Sequence, residues 1–215
     1  MLSPPRVLHL PNNIASQITV TVRALRDIGV PARGLAFAGV VTSNTVIEAL
    51  PISGKSRSLQ ALRNMALRIS MILRAVRWAD VIHWHYHYGV KGALDVILAR
   101  ALQRRRIVEF WGSDIRIPEV EAADNPYYAR VFPNSEYYNA ESYRHSRSLQ
   151  ETFARYGAEA LTSCKSMFPY IQRDLFPNIH FVRQRLYLAE YAPYYPDAAA
   201  RPLIIHSPTA PIAKG

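Results

Sequence analysis

Short β-branched runs alternate with longer stretches of helical period along this chain. Arg6-Val7-Leu8-His9-Leu10 predicts a first strand, Pro11 to Ala15 a loop, and Ser16 to Asp27 a helix that Ile28-Gly29 terminates. Leu35-Ala36-Phe37 and Ala49-Leu50-Pro51-Ile52 predict further strands, the second weakened by its proline. Leu62, Met65, Ile69, Ile72, Leu73 and Val76 fall on one stripe at 3.6-residue spacing, so Ser58 to Trp78 reads as a long helix with that stripe turned to a core. A strand from Asp80 ends in histidines, and Lys91 to Arg104 is a crossover helix into a strand over Arg106 to Trp111. After a tyrosine-rich loop, Ser142 to Tyr156 is another helix, and Ala158 to Thr162 and Ile179 to Val182 are the last strands of the unit. Residues 183–200 hold Tyr187, Tyr191, Pro193, Tyr194, Tyr195 and Pro196 without periodicity and read as a linker, after which Leu203-Ile204-Ile205-His206 starts one more strand. This alternation predicts an α/β fold with a doubly wound, mainly parallel Rossmann-like sheet over residues 1–182.

Two of the strands end in bursts of aromatic, histidine and acidic residues: Asp80-Val81-Ile82 runs into His83-Trp84-His85-Tyr86-His87, and Ile107-Val108-Glu109-Phe110 into Trp111-Gly112-Ser113-Asp114. In parallel sheets ligands sit outside the carboxyl ends of the strands, so both bursts are expected to face one crevice. The first loop, Pro11-Asn12-Asn13-Ile14-Ala15-Ser16-Gln17, has none of the glycines a dinucleotide pyrophosphate requires, which argues against NAD or FAD at this turn. Asn12 and Asn13 either cap the helix or offer amides to a polyhydroxyl or phosphate ligand. His83, His85 and His87 recur at period two and would share one face of a continuing strand, as metal ligands must. No carboxylate or cysteine next to them completes such a set, and Trp84, Tyr86 and Tyr88, which alternate with them, resemble the walls of a sugar pocket. Gly112 admits a ligand to the backbone, and Ser113-Asp114 supplies either an acceptor or a helix cap.

Composition narrows the classes. Of 215 residues, 49% are hydrophobic and 20% charged, which suits a globular domain and excludes disorder and coiled coil. The net charge of +10 is uneven: residues 1–108 hold fifteen Lys/Arg against four acids, and residues 109–160 nine acids against five bases, which points to an anionic partner for the first half. The single cysteine, Cys164, cannot form an intrachain disulfide, Met1 to Arg6 lacks a signal peptide's apolar core, and no run reaches a membrane span's ~18 apolar residues. A cytoplasmic location is the expectation.

In order, the βα start with its Asn-rich loop and Leu25-Arg26-Asp27-Ile28-Gly29, the ADVIHWHY and FWGSD strand ends, Thr162-Ser163 and the closing HSPTAPIAKG resemble the retaining GT-B glycosyltransferases of family 4. The resemblance covers nearly the whole chain. It implies that residues 1–182 are the acceptor-binding Rossmann-like domain and that residues 201–215 are the truncated start of the domain that binds the nucleotide-sugar, with catalysis in the cleft between them. It implies retention at the anomeric carbon, no cofactor and no metal, and a lysine on the donor diphosphate, matched by Lys214. The family's arginine before that lysine is missing from His206 to Pro211, and its acidic motif with two glutamates would lie beyond Gly215. Trp111 stands where many members carry a histidine at the reacting centre. The catalytic candidates are therefore His83, His85 and Asp114, with Asn12, Asn13, Trp84, Trp111, Gly112 and Ser113 around the acceptor.

The long helix adds a separate expectation. Lys55, Arg57, Arg63, Arg68, Arg74 and Arg77 fall between Pro51 and Ala79 without one acid, and Arg63, Arg68 and Arg74 flank Leu67, Met71 and Trp78 opposite the core stripe. A cationic and apolar face suits an anionic membrane surface; the plain alternative is a solvated basic face. No nucleic-acid motif frames these arginines. The sequence thus predicts a glycosyltransferase that moves a sugar from a nucleotide-sugar to a cell-surface polysaccharide or lipid-linked acceptor, peripheral at the inner face of the membrane and present as an incomplete chain. Two rivals stand beside it: a sugar-nucleotide epimerase of the same two-domain fold, and a non-catalytic carbohydrate-binding or membrane-docking module.

Overall fold

Among the described residues the hydrophobic runs become a sheet of seven strands, all parallel: β1 (Val7–Pro11), β2 (Ala32–Phe37), β3 (Glu48–Leu50), β4 (Val81–His85), β5 (Arg105–Phe110), β6 (Glu159–Thr162) and β7 (Ile179–Phe181). Their order across the sheet is β3-β2-β1-β4-β5-β6-β7, a Rossmann-like, doubly wound arrangement. The computed structural model describes residues 3–37, 46–52, 59–134 and 141–192. The strand expected at Leu203–His206, the end of the linker and Lys214 lie outside the described residues.

Because side chains alternate across a pleated strand, one face of the sheet collects Leu8, Leu10, Leu35, Ile82, Trp84, Val108, Phe110 and Ala160, all fully buried. Three helices cover that face: α2 (Leu59–Trp78), α3 (Leu94–Ala101) and α6 (Tyr143–Arg155), through Ile72, Ala75 and Val76, Val96 and Ala99, and Leu149 and Phe153. The opposite face is covered over β1 and β2 by α1 (Gln17–Asp27), whose Ile18 and Val22 meet Ala32, Ala36 and Ile47. Gly34 on β2 leaves room for this contact, since a Cβ there would stand 2.5 Å from Ile47 and 2.7 Å from Ile18.

Two expectations change. The segment after β5, read as a loop, holds two short helices, α4 (Pro118–Asp124) and α5 (Pro126–Val131), each opening on a proline, where the missing N–H costs no helical bond. In α2 the apolar stripe meets the core only from Ile69 onward, while Leu59, Leu62, Met65 and Leu67 are exposed. Length explains this: twenty residues of helix span about 30 Å, whereas five- and six-residue strands reach about 20 Å, so the first turns of α2 overhang the sheet.

Candidate functional site

The connections from β1 run outward to β2 and β3, and those from β4 run the other way to β7, so the topology reverses between β1 and β4. Their pairing sets His9 opposite His83 and Pro11 opposite His85, and the β4–β5 pairing sets His85 opposite Glu109. Residues in register on neighbouring parallel strands project from the same face, and four polar side chains therefore converge at the carboxyl ends of β1, β4 and β5. All four are buried: His85 and Glu109 are fully enclosed, His9 is 2% and His83 6% exposed. His9 Nδ1 lies 3.1 Å from His85 Nε2, so one ring donates and the other accepts. The His83 and His85 rings stack with centroids 4.3 Å apart, and Glu109 Oε2 sits 3.2 Å from His83 Nε2 and 3.5 Å from His85 Nδ1.

The cluster is closed from the far end of the sequence. Arg185 donates from Nη2 to both carboxylate oxygens of Glu109 at 3.1 and 2.8 Å. The backbone of Arg185 is itself held by the buried Gln17 at the start of α1: Gln17 Nε2 donates to the Arg185 carbonyl at 2.9 Å and Gln17 Oε1 accepts from its N–H at 2.8 Å. Tyr187 donates to Asp27 at 2.7 Å, and Arg23 pairs with Glu190, which lays residues 185–190 along α1. Part of the segment read as a linker is thus a wall of the site.

Burial holds His9 and His85 well below the ordinary imidazole range, and the neighbouring His83 and Arg185 deepen the effect, so both rings are neutral at pH 7. Burial works against the Glu109 carboxylate, but His83 and Arg185 outweigh it and keep its pKa below the usual value. The core of the site sets the neutral His9 and His85 rings beside one carboxylate–guanidinium pair. One ring nitrogen from each of His9, His83 and His85 lies within 4.8 Å of the others, a spacing that suits a single metal ion.

The expected site residues divide sharply. Trp111 and Asn12 border the cluster: the Trp111 ring lies 6.0 Å from that of His85 and 5.9 Å from the Arg185 guanidinium, and Asn12 Nδ2 reaches the His85 carbonyl at 3.5 Å. Ser113 bonds the Tyr86 hydroxyl at 2.9 Å beside them, and Gly112 takes a φ of +156°, a conformation other residues avoid. Trp84 is not a pocket wall. It projects from the other face into the core, fully buried, with Nε1 donating to Asp95 at 2.7 Å. Asn13 is the cap of α1, its Oδ1 accepting from the Ile18 and Thr19 amides at 2.9 and 3.3 Å. Asp114 has no exposed surface and accepts from the Trp111 and Gly112 amides, at 3.1 and 2.6 Å; burial pushes its pKa up to about 7 against the pull of those amides. Its geometry is that of a turn support. His87 does not join His83 and His85, because the strand ends at His85 and Tyr86 turns the chain with φ +77°; its ring packs on Tyr88 and 6.5 Å from His145. On α2, Arg63 and Arg74 are exposed, but Arg68 is half-buried over the Phe37 ring.

Four residues of the site escaped sequence reading in this role: His9, Gln17, Glu109 and Arg185. Only Glu109 carried a signal, as the acidic member of a strand-end burst. Compared with protein families, curated proteins and solved structures, the chain matches none of them.

Proposed function

We propose that this chain supplies the acceptor-binding site of a glycosyltransferase that moves a sugar from a nucleotide-sugar to a saccharide or lipid-linked acceptor with retention. The observation that carries the reading is the convergence of His9, His83, His85, Glu109 and Arg185 at the switch point of a Rossmann-like sheet, where ligands of such sheets lie. The turn beside it has no glycine to admit a pyrophosphate, whereas Asn12, Ser113, Tyr86 and the Trp111 ring offer hydrogen bonds and an aromatic face, the chemistry that recognises hydroxyl-rich rings. The donor half of the reaction, with the lysine expected at Lys214, belongs to the same proposal.

Saturation-transfer NMR of the purified chain against a panel of oligosaccharides, nucleotide-sugars and NAD tests it. Transfer to a saccharide that disappears in Trp111→Ala supports the reading; transfer to NAD alone, or to no sugar, overturns it. Nucleotide-sugar consumed without any acceptor would favour the epimerase rival. A second reading, membrane docking, rests on the overhang of α2, where Leu59, Leu62, Met65 and Leu67 are exposed beside Arg63. It places the acceptor site at an anionic lipid surface, as a lipid-linked acceptor requires.

A further inference from the structure

The polar accounting of the histidine cluster does not close with protein atoms alone. His9 Nε2 is buried without a hydrogen-bond partner, a rarity in folded proteins, while His83 Nε2 and His85 Nδ1 have the Glu109 carboxylate beside them at 3.2 and 3.5 Å. Water or a sugar hydroxyl could answer that nitrogen, but His9 Nδ1 and His85 Nε2 stand 3.1 Å apart and one nitrogen of each of the three rings lies within 4.8 Å of the others, and three imidazoles gathered in one buried space answer a different chemistry. We propose that His9, His83 and His85 form a binding site for one divalent transition-metal ion, best suited to zinc.

The geometry carries this in three respects. Each ligand stands within a hydrogen-bonded strand, two on β4 and one on the adjacent β1, so the rings are positioned by rigid backbone. The 3.1 Å between His9 Nδ1 and His85 Nε2 matches the edge of about 3.3 Å expected of a tetrahedron with zinc–nitrogen bonds of 2.0–2.1 Å, and one nitrogen from each of the three rings lies within 4.8 Å of the others. Glu109, outside this three-way set, lies against ring nitrogens of both His83 and His85, the position from which a carboxylate orients metal-bound imidazoles. The positive charge of Arg185 is taken up by that carboxylate in a two-pronged pair, which leaves the three rings as the ion's surroundings. Three protein ligands also leave a fourth position for water or a hydroxyl group.

This site goes beyond the saccharide reading and departs from the metal-free chemistry that the family resemblance implies. Its test uses metal ions without any sugar, so its failure and that of the sugar reading are told apart. The chain is treated with a chelator and titrated with Co²⁺, then with Zn²⁺ in competition, following the visible absorption of tetrahedral cobalt. The expected result is one saturable site per chain, a tetrahedral spectrum displaced by zinc, and a rise in Tm on zinc binding. His9→Gln, His83→Gln and His85→Gln should each weaken binding by at least about a hundredfold, at or beyond the upper end of the loss seen on removing an outer partner. A variant with His87, His145, His180 and His206 all changed to Gln and Cys164 changed to Ser keeps, of the histidines and cysteine, the three proposed ligands alone and should bind as the wild type does. If a ligand variant fails to fold, that multiple variant decides alone. Absence of saturable tetrahedral binding in the wild type, or its loss in the multiple variant, overturns the proposal.

Discussion

Replacing Arg185 by Met removes the one arginine or lysine that, among the described residues, pairs with the buried Glu109. The guanidinium makes two bonds to that carboxylate, at 3.1 and 2.8 Å, and Glu109 has no exposed surface, so the substitution leaves a buried charge with His83 and His85 beside it. Breaking a buried pair from one side costs about 3–5 kcal/mol. The Arg185 side chain is 21% exposed and the two imidazoles share in stabilising the carboxylate, so the lower end, about 3 kcal/mol, is expected. That is a large part of a domain's usual 5–15 kcal/mol. Glu109→Gln alone strands a guanidinium that water can reach and should cost less. The double variant removes both charges and should be more stable than the sum of the single effects by at least about 2 kcal/mol, within the range of measured coupling between contacting residues. Urea unfolding of the four proteins, followed by tryptophan fluorescence, measures the cycle. Additivity within about 0.5 kcal/mol, the range found for sites that do not interact, would refute the view that residues 183–192 are pinned to the sheet through this pair.

Three further outcomes are expected. Asp114 has its pKa raised to about 7 in the folded chain against an ordinary value near 4, so it binds more protons folded than unfolded across that window; its contribution to stability is full below about pH 4 and is lost as pH rises through about 7. Urea midpoints between those limits should show Asp114→Asn flattening the decline, and parallel curves would refute the assignment. Trp84→Phe strips one donor from the buried Asp95, which keeps the Gly89 and Val90 amides, and should cost about 1–3 kcal/mol in thermal unfolding without changing saccharide binding; weaker sugar binding would return Trp84 to the pocket. Changing Arg63, the exposed basic residue of the α2 overhang, to Gln should weaken sedimentation with anionic vesicles about fivefold, at roughly 1 kcal/mol per basic side chain, whereas unchanged binding would reduce the overhang to a solvated face.

The fold was legible because its signal is local. β-branched runs of four to six residues separated by helical stretches dictate parallel strands with crossovers, and the expected strands fall where β1, β4, β5, β6 and β7 stand. The crevice at the strand ends was legible for the same reason, since it follows from topology without knowledge of any side chain. The composition of the site was not. Period two along one strand groups His83 and His85 correctly but adds His87, because nothing in the pattern marks the turn at Tyr86, where the Tyr86 amide bonds the Glu109 carbonyl and the chain leaves the sheet. The same pattern treats Trp84 as a neighbour of the histidines, although the pleat sends it to the opposite face. His9 lies 76 residues before His85 and joins it only because β4, rather than β3, returns to the side of β1. Glu109 enters by the β4–β5 register, and Arg185 by the Gln17 amide that grips its backbone. Residues at a switch point are selected by strand order and register, quantities that belong to pairs of strands, and a periodicity read along one strand contains neither. Charge offered no substitute, since the acidic and basic members of the cluster cancel and leave no imbalance in the composition to mark the place.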